Sequence, residues 1–518
     1  MSPLERHPRT VGSALALVCG AIFALTAPPT NLTGSVLVGL VGLALVAARA
    51  RSWREGALFG LAFGAGANLV ALRFVPEVIV RFTPLPYAVA LLAWVLLSLA
   101  QGLAWGIGAG LAKRLHLLGI PWFLAFPAGT FVGFFVPALF PWTPAGGLSP
   151  WPVVVQAAEL VGERGVSFLV AAGCALVAEG VTTKIARRRL VTLGLAGLVG
   201  ATLLGYGALA MARVERTRQL APKATLALVQ PGTEAKTRWD PAAAEIIAGR
   251  LHALTRAAES RGVDLVVWPE AAYPYTLPHS ARAFPPSYMR RDVLPHDVHG
   301  PVIVGLVMAK TSTDQTNSAL VARGDRTLSV PYDKRHLLAF GEHVPFAEEL
   351  PWMKKTFARG TGLVPGEESV ALEASKVRAG VLVCYEDNLP EAGREAMQTR
   401  PNVLVNLTND AWFAGSAEGE LHLRLAVLRA IETRRDLARA VNLGPTGLVD
   451  ATGRVRSRYD APLPKALDVE VALLDTAPTP YTRFGDVPLA LAIAAACAAR
   501  ALASRRAQGA KGAEIPLS

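Results

Sequence analysis

Through the first 212 positions apolar residues come in long blocks separated by brief turns; beyond that they come in short runs with charged residues between them. A helix needs about 20 largely apolar residues to cross the hydrocarbon core of a bilayer. The blocks near 11–28, 31–48, 55–75, 87–112, 120–139, 163–182 and 189–212 meet or approach that length, and one more lies near 486–504. The pattern predicts an N-terminal transmembrane domain of about seven helices over 1–212, a C-terminal transmembrane helix over 486–504 and a tail over 505–518. The first block does not read as a cleaved leader, because the blocks after it are equally apolar and no small-residue cleavage pattern follows "ALTAPPTNL".

The stretch from 213 to 485 follows a different rhythm. β-Branched runs recur as "ATLALVQP", "VDLVVWPE", "PVIVGLVMA", "SALVARG", "RAGVLVCYE", "NVLVNLTND", "RAVNLGPTGLVD" and "ALDVEVAL". Helical patterns stand between some of them, notably "DPAAAEIIAGRLHALTRAAESRG" and "GELHLRLAVLRAIETRRD". Strands alternating with helices and hairpin-like pairs predict a layered α/β or α+β domain.

Composition agrees with this division. The chain is 52% hydrophobic and only 18% charged, with a mean hydropathy of +0.35, too apolar for an ordinary soluble protein. Its net charge of +12 is largely accounted for by where the basic residues fall. Arg6 and Arg9 precede the first block; Arg49, Arg51 and Arg54 follow the second, Lys113 and Arg114 the fourth, Lys184 and Arg187 to Arg189 the sixth, and Arg505, Arg506 and Lys511 the last. The intervening turns "APPTNL" and "PWTPAGGLSPWP" carry no Lys or Arg. Basic residues stay on the cytoplasmic side of a membrane, so both termini are expected in the cytoplasm and 213–485 on the far side. The charge thus signals topology and attraction to anionic lipid rather than nucleic-acid binding.

Four cysteines are present, Cys19, Cys174, Cys384 and Cys497; three lie in apolar blocks, without metal-ligand spacing or a disulfide framework. Cys384 is different. It closes the strand-like run "GVLVC" beside Glu386 and Asp387. Two other strand-end segments carry reactive groups: Glu270 closes "VVWPE", and Lys334 sits in "VPYDKRHLLAFGEHVPF". A thiol needs a base to become a nucleophile, and a tetrahedral intermediate on an acyl carbon needs a positive donor. A glutamate, a lysine and a cysteine supply those parts.

"WPE", "YDK" with "FGEHVPF", and "CYE" followed by "NLTNDAWF" resemble the Glu-Lys-Cys triad of the nitrilase superfamily. The surrounding frame of helices is similar to that of the apolipoprotein N-acyltransferases of the bacterial inner membrane. The resemblance implies a polytopic α-helical membrane domain joined to an extracytoplasmic nitrilase-like α/β domain, an α-β-β-α sandwich, over 213–485. It implies Cys384 as nucleophile, Glu270 as general base, and Lys334 with the backbone N–H after Cys384 as oxyanion donors. Glu342 in "FGE" corresponds to a second acid that positions Lys334 or the incoming amine, and Glu386 to the acid after "CY". Trp239, Tyr385, Asn409, Trp412 and Phe413 correspond to positions that shape the pocket and its lid.

The implied reaction is ping-pong transfer. Cys384 takes an acyl chain from a phospholipid such as phosphatidylethanolamine and passes it to the α-amine of a diacylglyceryl-cysteine at a lipoprotein N-terminus. It needs no ATP, metal or other cofactor, and the enzyme is expected as a monomer. Extracting acyl chains into water costs about 0.8 kcal/mol per CH₂, so apolar lid segments are expected near the site. "LPWMKKTFARGTGLVP" and "DAWFAGSAEG" are the candidates, with Gly360, Gly362 and Gly415 as hinges.

His422, on the second helical pattern, reads as a packing or hydrogen-bonding residue, and Arg429, Glu432 and Arg439 as ties between that helix and the sheet. Three departures from the family pattern stand out: Ala414 followed by Gly415 after "NDAWF", Asp387 and Asn388 where apolar residues are usual, and Pro445 and Thr446 in "NLGPTGLVD". Two other readings remain. One is a membrane-tethered amidase of the same superfamily, for which seven spans are more than a tether needs. The other is a transporter or scaffold, which would favour ionisable residues inside spans; those that stand out are Arg73, Glu77 and Arg81 at a span boundary.

Overall fold

The computed structural model describes residues 8–286, 291–344, 349 and 362–512. The chain separates into two compact units. One is drawn from the stretch up to Arg81, from Leu85–Ala208 and from Phe484 onward, the other from Phe82–Pro84 and Leu209–Arg483.

The first unit is helical: α1 (Pro8–Ala24), α2 (Ser35–Ala48), α3 (Trp53–Ala71), α4 (Val75–Phe82), α5 (Tyr87–Leu117), α6 (Trp122–Gly133), α7 (Ala158–Thr182), α8 (Ala186–Leu220) and a last helix Val487–Gly512. Among the described residues, α5, α7, α8 and Val487–Ser504 are each long and apolar enough to cross a membrane. α3 and α4 qualify only as a pair, bent by 60° at the break between them, while α1, α2 and α6 are shorter apolar helices. The apolar blocks overstate helix length where turns intrude: the block at 31–48 is helical only from Ser35, and that at 120–139 stops at Gly133. α3 and α5 touch backbone to backbone. A Cβ on Gly60 would fall 2.1 Å from the Trp105 carbonyl oxygen, and one on Gly64 2.6 Å from the Cα of Gly102. Small residues allow such approach where lipid provides no hydrophobic drive for helices to pair. The Gln101 side-chain amide donates to Asn68 at 2.8 Å between the same helices, and Phe63 packs edge-on to Trp105 at 4.7 Å.

α8 runs eight residues past position 212, and its final turns, "RVERTRQL", are polar. There Arg218 meets the buried Asp436 with two hydrogen bonds, 2.8 and 2.9 Å, within the second unit.

The second unit contains two sheets. The first runs β13 (Lys465–Ala472), β1 (Lys223–Gln230), β2 (Leu265–Val267), β4 (Val302–Ala309), β5 (Gln315–Ala322), β6 (Tyr332–Asp333), with β3 (Leu277–Pro278) paired to β4. The second runs β12 (Val455–Tyr459), β11 (Thr446–Val449), β10 (Leu437–Val441), β9 (Val403–Thr408), β8 (Val377–Val383), β7 (Ala371–Ala374). Period-two alternation places Leu226, Leu228, Val267 and Ile303 of the first sheet in one core with Val381, Val383, Val405 and Leu407 of the second. The opposite face of the first sheet, Ala227, Val229, Val266 and Val304, packs with Ile247 and Leu251 of α9 (Ala244–Glu259). α10 (Pro390–Ala396) lies against β8 of the second sheet, and α11 (Glu418–Thr433) packs on α10 and on the turns that follow β8 and β9. Helix, sheet, sheet and helix form the α-β-β-α sandwich.

The central strands are parallel. Val383 of β8 stands opposite Leu407 of β9, and Val441 of β10 opposite Thr408, so the C-terminal ends of β8, β9 and β10 lie along one edge. β2 likewise runs parallel to β1 and β4. Carboxyl ends of parallel strands are where such sheets display reactive groups.

Candidate active site

Glu270 follows β2, Lys334 follows β6 and Cys384 follows β8. The structure brings all three together. Lys334 is 1% exposed and Glu270 8%. The Lys334 Nζ lies 2.7 Å from Glu342 Oε2 and 3.4 Å from Glu270 Oε1, and both Glu270 and Lys334 act electrostatically on the Cys384 thiol. Burial opposes the Lys334 charge, but Glu342 and Glu270 outweigh it and hold the ammonium above its ordinary pKa. Burial pushes the Glu270 carboxyl up, with Lys334 acting against it. Burial and then Glu270 push the Cys384 thiol well above its ordinary value, again against Lys334. The resting nucleophile is therefore a thiol in the field of a base, and its proton leaves as it attacks rather than beforehand.

Asn317, on β5, supports this arrangement: its amide donates to Glu270 at 2.7 Å and to Glu342 at 2.9 Å. Sequence reasoning missed it. The available signal was polar side chains breaking the apolar strand "QTNSALVA". Glu342 also accepts from the Leu338 amide at 2.8 Å, which closes the loop carrying it.

Glu386 is fully buried and serves as an anchor. It accepts from the amides of Val383 at 2.7 Å, Arg335 at 2.7 Å and His336 at 3.1 Å, and from the Tyr332 hydroxyl at 2.9 Å. One carboxylate thereby fixes the Lys334 segment to the turn bearing Cys384.

That turn, Cys384–Asn388, is a 3₁₀ helix, and Cys384 enters it with φ +52°. A left-handed conformation costs a residue with a Cβ about 1–2 kcal/mol, so surrounding contacts must hold it. The Cys384 carbonyl accepts from Asn406 Nδ2 at 3.2 Å and faces His422 Nε2 at 3.3 Å.

The other expected residues are placed as follows. Tyr385 is partly buried, and its phenol is pushed up to about 12 by burial. Asn409 is buried and accepts from Asn442 at 2.9 Å and from the Ala411 amide at 3.3 Å, so its carbonyl is engaged in the loop. Trp412 and Phe413, in the 3₁₀ turn Asp410–Phe413, are partly exposed, and the Trp412 ring lies 4.7 Å from that of Phe82. Trp239 closes the 3₁₀ turn Thr237–Trp239, and its side chain lies outside what is described. Its neighbour Arg238 donates to the carbonyls of Ala271 and, at 2.9 Å, Tyr273, tying that turn to the loop after Glu270. Of the lid candidates, Gly360 and most of "LPWMKKTFARGTGLVP" fall outside the described residues. In "DAWFAGSAEG", Gly415 adopts φ +81° while Ala414 keeps φ −49°; the left-handed step is taken at the glycine, one place beyond the usual position.

His422 is a hydrogen-bonding residue, as its sequence context suggested, and its partners are charged. It is 3% exposed, with Nε2 2.7 Å from Asp387 and Nδ1 3.0 Å from Asp410. Arg439 on β10 is fully buried and pairs with the same Asp387. Burial opposes the imidazolium, but Asp387 and Asp410 outweigh it and hold His422 well above its ordinary value. Glu418, on the same helix, is pushed up to about 8 by burial and by Asp410. Asp410, Glu418 and His422 stand close enough together to hold a metal ion. In this arrangement both ring nitrogens face carboxylates, so ion pairing accounts for the group.

A carbon-nitrogen hydrolase model matches residues 225–480, and a model of the apolipoprotein N-acyltransferase N-terminal domain matches 19–176. An apolipoprotein N-acyltransferase of Geobacter metallireducens is 30% identical over 512 residues, covering 95% of each chain. One of Bradyrhizobium diazoefficiens is 31% identical, covering 93% of each. Among solved structures, a carbon-nitrogen hydrolase from Helicobacter pylori G27 overlaps 48% of this chain and 89% of its own at 17% identity, with a TM-score of 0.35, too slight a likeness to argue from.

Proposed function

The chain belongs to the apolipoprotein N-acyltransferases, a family of membrane enzymes, and from that premise we propose that Cys384 is the residue that carries the acyl group. The observation behind the proposal is the buried Lys334, 3.4 Å from Glu270 and 2.7 Å from Glu342, whose charges act on the Cys384 thiol at the end of β8.

In the first half-reaction Cys384 Sγ attacks the ester carbonyl of a phospholipid while its proton passes to Glu270. The oxyanion that forms is met by the Lys334 ammonium and the Tyr385 amide. Collapse expels the lysophospholipid alkoxide, which takes the proton back from Glu270, and leaves a thioester on Cys384. In the second half-reaction the α-amine of a diacylglyceryl-cysteine attacks that thioester and gives its proton to Glu270. The amide forms, and the departing thiolate recovers the proton. A thioester is more reactive toward amines than the ester it came from, so transfer runs downhill. Glu342 holds Lys334 in place through both halves, and Trp412 and Phe413 contribute apolar surface beside the site for acyl chains. Water must be kept out while the thioester lives.

Phosphatidylethanolamine is the donor we expect, the enzyme acts as a monomer, and the residues divide into a membrane domain over 1–212, a catalytic domain over 213–485 and a last span over 486–504. Both termini face the cytoplasm and the catalytic domain faces the periplasm. The distribution of Lys and Arg supports this orientation. A cysteine introduced at the exposed Leu463 should react with an impermeant maleimide added to intact spheroplasts; protection until lysis would reverse the topology.

The reaction is tested with full-length protein, phosphatidylethanolamine vesicles and a diacylglyceryl-cysteine peptide. An N-acylated peptide from wild type and none from Cys384→Ser is the expected result. Release of free fatty acid with no acylated peptide would make the protein a hydrolase.

A further inference from the structure

Behind the nucleophile lies a second buried set of charges that the transfer mechanism does not use. His422 comes from α11, Asp387 from the turn after β8, Asp410 from the turn after β9, Arg439 from β10 and Glu418 from the first turn of α11. All five are less than one-tenth exposed. Two carboxylates, Asp387 and Asp410, face two cations, His422 and Arg439, and a protonated Glu418 leaves the set neutral. Charges of this kind persist in a core only when paired, and an imidazole with a carboxylate at each nitrogen is held as the two-donor cation.

Its placement has a chemical consequence. The hydrogen on His422 Nε2 is shared between Asp387 Oδ1 at 2.7 Å and the Cys384 carbonyl at 3.3 Å. Asp410 is one of the charges that raise the Cys384 thiol, and it is also a partner of His422. We propose that His422 is a positioning residue for Cys384: an imidazolium clamped between Asp387 and Asp410, it holds the Cys384 carbonyl, keeps the residue in its left-handed conformation and shields the thiol from the Asp410 charge. This rests on the reading of Cys384 as the nucleophile. Asp387 is the nearer of the two carboxylates that flank the histidine. The fixed carbonyl also sets the direction of the Tyr385 amide, since both belong to the same turn.

A purely structural histidine and this one differ in what happens when Asp410 loses its charge. Full-length wild type, His422→Gln, Asp410→Asn and the double variant would be treated in detergent with iodoacetamide, a small neutral reagent that reads the thiolate. The Cys384 peptide would be quantified by mass spectrometry across a pH series. His422→Gln should slow alkylation at neutral pH about tenfold, the effect of one unit in the thiol's titration, and displace the profile to higher pH. Asp410→Asn should do the reverse, and the double variant should return to within about threefold of wild type. Unchanged alkylation in His422→Gln, or a double variant slower than either single one, would overturn the inference. Should His422→Gln fail to fold, His422→Asn takes its place and is read the same way: slower alkylation supports the inference, and equal or faster alkylation refutes it. Wild-type Cys384 that resists the reagent at every pH would overturn the nucleophile reading, and the inference with it, which separates that failure from a failure of His422 alone.

Discussion

The side chain of Cys384 faces one buried charge cluster and its backbone carbonyl faces another. On the side-chain face a single cation, Lys334, is held by two carboxylates, Glu270 and Glu342. On the carbonyl face two cations, His422 and Arg439, meet Asp387 and Asp410. The first set is unbalanced, with one base free to gain a proton. The second is balanced, and nothing in it needs to move during a turnover. An unbalanced cluster suits proton transfer; a balanced one suits holding a backbone still. Cys384 needs both, because the thiol must lose a proton while the residue stays in a strained conformation.

The difference predicts unequal losses. Glu270→Gln keeps the shape of the base and removes its function, so acyl-enzyme formation in single-turnover experiments should fall about 10²–10⁴-fold, far below any loss from the carbonyl side. Lys334→Met leaves Glu270 and Glu342 buried without their cation, at a cost of about 3–5 kcal/mol. Its melting temperature should drop accordingly, and adding Glu342→Gln should recover part of the drop. Glu386→Gln turns an amide NH₂ toward backbone donors and should cost about 1–3 kcal/mol, seen as a lower melting temperature with part of the acylation rate retained. The smallest effect is one of pH. Glu270 acts as a base only when ionised, and its pKa is raised above its ordinary value of 4.5. Acylation should therefore decline as pH falls toward that raised value, beginning above pH 4.5, and stopped-flow acylation rates would show the limb in wild type and not in Glu270→Gln.

The same contrast explains what the sequence made legible. Glu270 and Cys384 each stand just past a β-branched run, so an apolar strand that stops at a reactive residue marked them; Lys334 follows only the two-residue strand Tyr332–Asp333 and was legible through "YDK". Glu386 was visible as an acid beside the cysteine, but its role was not, since three of its four donors, Tyr332, Arg335 and His336, lie some fifty residues away in the Lys334 segment. His422 sits on a helix that is buried almost all round, where periodicity cannot separate a packing residue from a charged one. Its signature was spread over three segments: an aspartate at 387, an aspartate at 410 and an arginine in the apolar strand "LARAV". Only tertiary structure joins them. In the same way β12, "VRSRY", went unread because an exposed edge strand can be mostly polar; the blocks at 31–48 and 120–139 were read as longer than their helices because apolar residues continue into turns, and that at 189–212 as shorter because its helix ends in polar turns.

The most direct measurement is a single-turnover reaction of full-length protein with phosphatidylethanolamine carrying an isotopically labelled sn-1 chain, quenched before acceptor is added and followed by peptide mass spectrometry. The account predicts one labelled, hydroxylamine-labile acyl group on the peptide bearing Cys384, lost on addition of a diacylglyceryl-cysteine peptide and absent from Cys384→Ser. A labelled N-acyl peptide formed without any acyl group ever residing on Cys384, or an adduct on Cys19, Cys174 or Cys497 instead, would contradict it.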